Sequence, residues 1–227
     1  MAMDSPDSRE VVIAVPGARL AATLDLPRDP RAVVVFAHGS GSGRHSPRNR
    51  YVAGVLNAAG MATLLMDLLT PDEDVEDAIT RRHRFDIELL ASRLAWAHEW
   101  VATSPETAGL PVGTFGASTG AAAALVSAAR VPGSTAAVVS RGGRPDLAGA
   151  ELARVVAPTL LIVGGRDDVV LELNRGAYAE LAGPRELVIV PGATHLFEEP
   201  GALERVAELS RDWFGTWLEA ARNDPGA

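Results

Sequence analysis

The feature that most constrains this chain is a series of short, nearly unbroken apolar runs, most of them followed by a stretch with helical spacing. Arg31–Ala37 and Met61–Met66 are the clearest. A strand of that composition has no polar face to give to water, so it must be covered on both sides. Further runs are predicted as strands at Leu110–Phe115, Thr135–Ser140, Ala157–Val163 and Glu186–Val190. Between them, helices are predicted over about Phe85–Ala102, Ser118–Arg130 and Leu171–Leu181, with Gly201–Ala221 closing the chain. Strand alternating with helix specifies an α/β architecture: a mostly parallel, doubly wound sheet with helices on both faces.

The start of the chain breaks that rhythm. Val11–Val15 and Arg19–Leu26 flank the turn Pro16-Gly17, which reads as an antiparallel hairpin. Ser46-Pro47 then offers an N-cap and a proline at the first helical position. Tyr51, Val52, Val55, Leu56 and Ala59 fall on one face of that helix, and Gly60 stops it. Pro71 to Ala78 reads as an acidic loop, and Trp96 and Trp100 are spaced for one buried helix face. One domain over residues 1–227 is expected, with 1–9 and 222–227 as flexible ends.

Composition narrows the function classes. There is no cysteine, which removes disulfides, thiolate metal sites and a cysteine nucleophile. A net charge of −8 argues against a nucleic-acid partner. Neither a signal peptide nor a membrane span is legible, so a cytoplasmic location is expected.

In a doubly wound sheet, chemistry gathers beyond the carboxyl ends of the strands. Four loops there carry reactive residues. Gly116-Ala117-Ser118-Thr119-Gly120 joins a predicted strand to a predicted helix, the context of a nucleophile elbow. Ser118 is the candidate nucleophile, and an ordinary serine N-cap is the alternative. His38-Gly39-Ser40-Gly41-Ser42-Gly43 follows an earlier strand. Its Ser40 N–H, with that of Thr119, is the candidate oxyanion hole, and His38 braces the loop. The same glycines lack the lysine of a phosphate-binding loop.

Gly164-Gly165-Arg166-Asp167-Asp168 supplies a carboxylate to orient a histidine, with Asp167 preferred over Asp168 as nearer the strand. Pro191-Gly192-Ala193-Thr194-His195 supplies that histidine as general base. Ser118, Asp167 and His195 occur in the chain order of α/β-hydrolase triads. Arginines recur on the same loops, at Arg44, Arg48, Arg81, Arg82, Arg84, Arg141, Arg144 and Arg166. Arg44, Arg141 and Arg144 are candidates for binding an anionic acyl substrate. Arginine is also the chain's only basic residue apart from histidine, which by itself places it in loops.

On these four segments the chain resembles, over its whole length, the dienelactone-hydrolase-like branch of the α/β-hydrolase superfamily. His38 to Arg50 further resembles a bacterial subgroup that also occurs fused to phosphoribosyltransferase domains. The resemblance implies an eight-stranded sheet, a Ser-His-Asp triad and no metal or organic cofactor. It departs at the nucleophile, where true dienelactone hydrolases carry cysteine and this chain has Ser118. Only about fifteen residues, Arg141 to Val155, follow the sixth strand, too few for a large cap. The expectation is a serine hydrolase for a small acyl substrate. Thioester hydrolysis, acyl transfer and a non-catalytic ligand-binding protein on the same scaffold are the alternatives.

Overall fold

A computed structural model describes residues 6–223. Its frame is one eight-stranded sheet in the order β1-β2-β4-β3-β5-β6-β7-β8. The first two strands, β1 (Asp7–Val15) and β2 (Ala18–Leu26), form the expected hairpin. Strand β2 also pairs antiparallel with β4 (Met61–Met66), and every other pairing is parallel. These are β3 (Ala32–Ala37), β5 (Val112–Ala117), β6 (Ala137–Arg141), β7 (Thr159–Gly164) and β8 (Arg185–Val190).

Burial follows from place in the sheet. β3, β4 and β7 are buried at every residue, whereas β2 alternates and the edge strand β8 is largely open. Helices α3 (Ile87–Thr103), α4 (Thr119–Arg130) and α5 (Asp168–Glu180) lie with the core that includes Leu90, Leu94, Leu125 and Ala177. Helices α1 (Pro47–Ala58) and α6 (Ala202–Asn223) cover the other face, around Phe36, Phe115, Leu56 and Phe214. Crossovers reverse direction between β3 and β5, the crevice where ligands bind in open sheets of this kind.

Several expectations are corrected. Pro71–Thr80 is a helix, α2, rather than an acidic loop. Thr70 and Glu73 form a reciprocal capping box, Pro71 sits in the first turn, and the acids there complement the helix dipole. Strands β5, β6 and β7 begin two residues later than their patterns suggested, while α5 begins earlier, at Asp168. Residues 7–9, expected to be loose, are paired in β1, and 222 and 223 complete α6. Of both expected flexible ends, residues 1–5 and 224–227 lie outside the described residues. Trp100 packs against the core, but Trp96 is 45% exposed, so the helix does not bury both rings. No described helix is long and apolar enough to cross a membrane.

Candidate active site

Ser118 stands between β5 and α4 at φ 51° and ψ −121°, a backbone state that L-residues adopt only when their surroundings enforce it. The enforcement is visible. A Cβ at Gly120 would lie 2.3 Å from the Ala37 carbonyl oxygen, and one at Gly116 would lie 2.4 Å from Ala121 Cα. Only glycine at both positions lets the strand turn so sharply into the helix. Although Ser118 occupies the N-cap position of α4, its side chain makes no capping hydrogen bond. The hydroxyl is therefore not committed to ending the helix.

The oxyanion candidates meet beside it. Ser40 Oγ and Thr119 Oγ1 are 3.1 Å apart, a hydrogen bond that ties the loop after β3 to the start of α4. Neither backbone N–H of these two residues donates to a loop or capping carbonyl among the described residues. Gly39 lies against Ser118, where a Cβ would come within 2.9 Å of the serine Cβ. His38 fixes the loop from below: the Leu68 N–H donates to its Nε2 at 2.9 Å, and its Nδ1 lies 2.9 Å from the Gly39 carbonyl oxygen. Since one partner only donates and the other only accepts, the ring is neutral with its proton on Nδ1. Burial holds the imidazole pKa below its ordinary value, in keeping with that form.

Asp167 and His195 meet across β7 and β8, with His195 Nδ1 2.7 Å from Asp167 Oδ2. Asp167 also sits at an N-cap position without capping, whereas Asp168 is the exposed first residue of α5. The carboxylate fixes the proton on Nδ1 and leaves Nε2 with a free lone pair. The histidine loop is braced by neighbours that sequence patterns do not reveal. Glu199 accepts a hydrogen bond from the Thr194 N–H at 3.1 Å, and Phe197 is buried in left-handed backbone at φ 56°.

Ser118 and His195 are joined through the end of β6. The Ser118 N–H donates to the Arg141 carbonyl oxygen at 3.3 Å. At the next residue, Gly142, a Cβ would be 3.6 Å from His195 Cε1. Gly142 was not singled out by sequence reasoning, and its only local signal is the glycine pair after β6.

The three candidate substrate-binding arginines part company. Arg44 pairs with Asp67 and lies 3.3 Å from Glu10, and Arg144 grips Asp146 with two bonds of 2.8 and 2.7 Å. Arg141 has no carboxylate partner among the described residues. An open hollow of about 260 Å³ lies beside the loop after β3, lined by Ser40, Thr119, Leu68, Leu69 and Leu90. A larger one of about 490 Å³ opens at the far end of the sheet, between Arg31, Met61, Phe214 and Leu218, away from all these groups. Among the described residues no three acidic or histidine side chains converge as metal ligands.

Comparison with known proteins places this architecture. Two Mycobacterium tuberculosis proteins provisionally named as phosphoribosyl transferases are 63% identical over 214 residues, 94% of this chain but 47% of each of theirs. The chain thus spans about half the length of those relatives. A dienelactone hydrolase from Anabaena variabilis is 55% identical, covering 94% of this chain and 99% of its own, with a TM-score of 0.92. Est1E from Butyrivibrio proteoclasticus, 17% identical over 92% of this chain and 99% of its own, shares the fold with a TM-score of 0.76. The family model described as the dienelactone hydrolase family matches residues 20–218, and the chain belongs to that family.

Proposed function

We propose that the chain is a serine hydrolase of carboxylic esters or related acyl compounds, with Ser118, His195 and Asp167 as its triad. The observation that carries this reading is Ser118 itself. It is a non-glycine residue in enforced positive-φ backbone, with a side chain free of capping, linked through Arg141 and Gly142 at the end of β6 to a histidine already oriented by a carboxylate. Strain of this kind persists where function maintains it.

In this mechanism His195 Nε2 takes the Ser118 proton as the hydroxyl oxygen bonds to the acyl carbon. The N–H groups of Ser40 and Thr119 receive the charge that develops on the carbonyl oxygen. Asp167 stabilises the imidazolium, which returns its proton to the leaving alcohol. Water then attacks the acyl-serine by the same route in reverse. The chemistry draws on no metal or organic cofactor.

The test is labelling with a fluorophosphonate together with turnover of p-nitrophenyl esters. Labelling at Ser118 is expected, and Ser118→Ala should lower kcat by about 10⁴-fold or more while remaining folded. Wild-type turnover by a folded Ser118→Ala protein would end this assignment.

A further inference from the structure

Strand β6 ends on Arg141, whose side chain turns onto the α1 face of the sheet and is 8% exposed. Its Nε and Nη1 are buried with no hydrogen-bond partner among the described residues. Its Nη2 reaches only Asn49 Oδ1, at 3.5 Å, the outer limit of a hydrogen bond. The charge that most affects it is another cation, Arg48. Arg48 has a buried, unpartnered Nε of its own, although its Nη1 lies 3.2 Å from Glu198. Burial beside a like charge lowers the Arg141 pKa to about 10, which still leaves it charged at neutral pH.

A buried cation without a counter-charge is among the costliest arrangements a fold can keep. Arg141 keeps it on the strand end whose backbone meets the candidate nucleophile and base. It pairs across β5 with Ala117, its carbonyl receives the Ser118 N–H, and the next residue, Gly142, backs onto the His195 ring. Five unsatisfied or loosely held N–H donors in a fixed fork match the two oxygens of a carboxylate or phosphate. The Arg48–Glu198 pair does little to neutralise this charge, because its carboxylate is largely exposed and exposed pairs are weak.

We propose that Arg141, with Arg48 beside it, binds an oxyanion group, carboxylate or phosphate, next to Ser118. The group is either part of the acyl substrate or a free anion that completes the site. This rests on the triad reading for its role in catalysis, and the experiment separates the two.

Ser118→Ala protein is titrated with glutarate, inorganic phosphate and the neutral glutaramide, following Tm. A saturating rise with an anion, absent with glutaramide and lost in the added Arg141→Met variant, is expected. In the wild type, kcat/KM for the p-nitrophenyl monoester of glutaric acid should exceed that for p-nitrophenyl valerate by about tenfold to a hundredfold. Arg141→Met should collapse that ratio towards one. Competition by phosphate against the glutarate ester alone identifies the substrate's own carboxylate as the occupant. Faster turnover of the valerate ester with phosphate identifies a free anion.

If Arg141→Met does not fold, Arg48→Gln should still weaken the anion response several-fold. No Tm response to either anion, with Ser118-dependent turnover of both esters at equal kcat/KM, overturns the anion site and leaves the triad standing. Turnover that survives Ser118→Ala overturns the triad, while the Tm titration still decides Arg141.

Discussion

Two buried arginines flank the candidate site, and the chain treats them in opposite ways. Arg93, on the α2–α3 side, makes two bonds of 2.7 Å to the Glu73 carboxylate and a third of 2.6 Å to the Leu68 carbonyl. Arg141, on the α1 side, has one marginal contact. The same side chain at similar depth is thus held by a carboxylate and a carbonyl on one flank and, among the described residues, nearly unsatisfied on the other. That contrast, at the strand end that meets the candidate triad, is what the proposed anion site rests on. The satisfied flank is architecture: Glu73 caps α2 through Thr70 while anchoring α3 through Arg93, and Leu68 links that anchor to His38 and the loop after β3.

The comparison breaks most visibly if Arg93 is deprived of its partner. Glu73→Ala removes one end of the capping box and strands a buried cation. Because Glu73 is itself a quarter exposed, the loss sits at the low end for broken buried pairs, about 4 kcal/mol with the cap included. Tm should fall by about 8 to 16 °C in a chain of this size. A shift under about 2 °C would mean that satisfaction on this flank is incidental and the contrast with Arg141 teaches nothing.

Acid offers a way to make an Arg141 out of a satisfied group. His98 is fully buried, with Thr114 Oγ1 3.0 Å from Nε2 and Thr135 Oγ1 3.3 Å from Nδ1, and burial lowers its pKa to about 4. The folded pKa lies below the ordinary 6.5, so the native state binds fewer protons than the unfolded one between these values. Its stability contribution is complete above pH 6.5 and is lost as pH falls from 6.5 towards 4. The full effect is about 3 kcal/mol, judged by the size of the shift. Urea midpoints at pH 7, 5.5 and 4.5 should fall more steeply for wild type than for His98→Gln. Parallel slopes would show that the buried ring tolerates charge without a partner. His38, also buried with a lowered pKa, contributes equally to both proteins and cancels in the difference.

How much of this was legible in the sequence depends on how far the deciding partner lies along the chain. The sheet was readable because unbroken apolar strands betray two-sided burial within six residues. Ser118, Asp167 and His195 were readable as residues at three strand ends in a meaningful order. Helix α2 was misread because its six acidic or turn-forming residues, Pro71, Asp72, Glu73, Asp74, Glu76 and Asp77, resemble a loop, although Thr70-Pro71-Asp72-Glu73 carried the capping box. Asp167 and Asp168 differ in the structure by which one faces His195, a distinction 28 residues away in sequence. The arginines were the least legible. Arg44 is answered by Asp67, 23 residues away, and Arg144 by Asp146, two away, so local spacing could not single out Arg141 as the one left unanswered among the three.

The smallest expected effect is the most discriminating. Replacing a buried charge that lacks a partner by an apolar side chain of similar length removes a desolvation penalty and few bonds. Arg141→Met should therefore leave Tm unchanged or raise it by a few degrees in anion-free buffer, in contrast to the fall expected for Glu73→Ala. If Arg141 were instead a structural post like Arg93, the same substitution would lower Tm by several degrees through lost packing of its stem. Repeating the melt with glutarate sharpens the contrast, since the anion should stabilise wild type and not the variant, reversing their order. A fall in Tm without anion, together with no glutarate-dependent reversal, would place Arg141 with Arg93 as architecture.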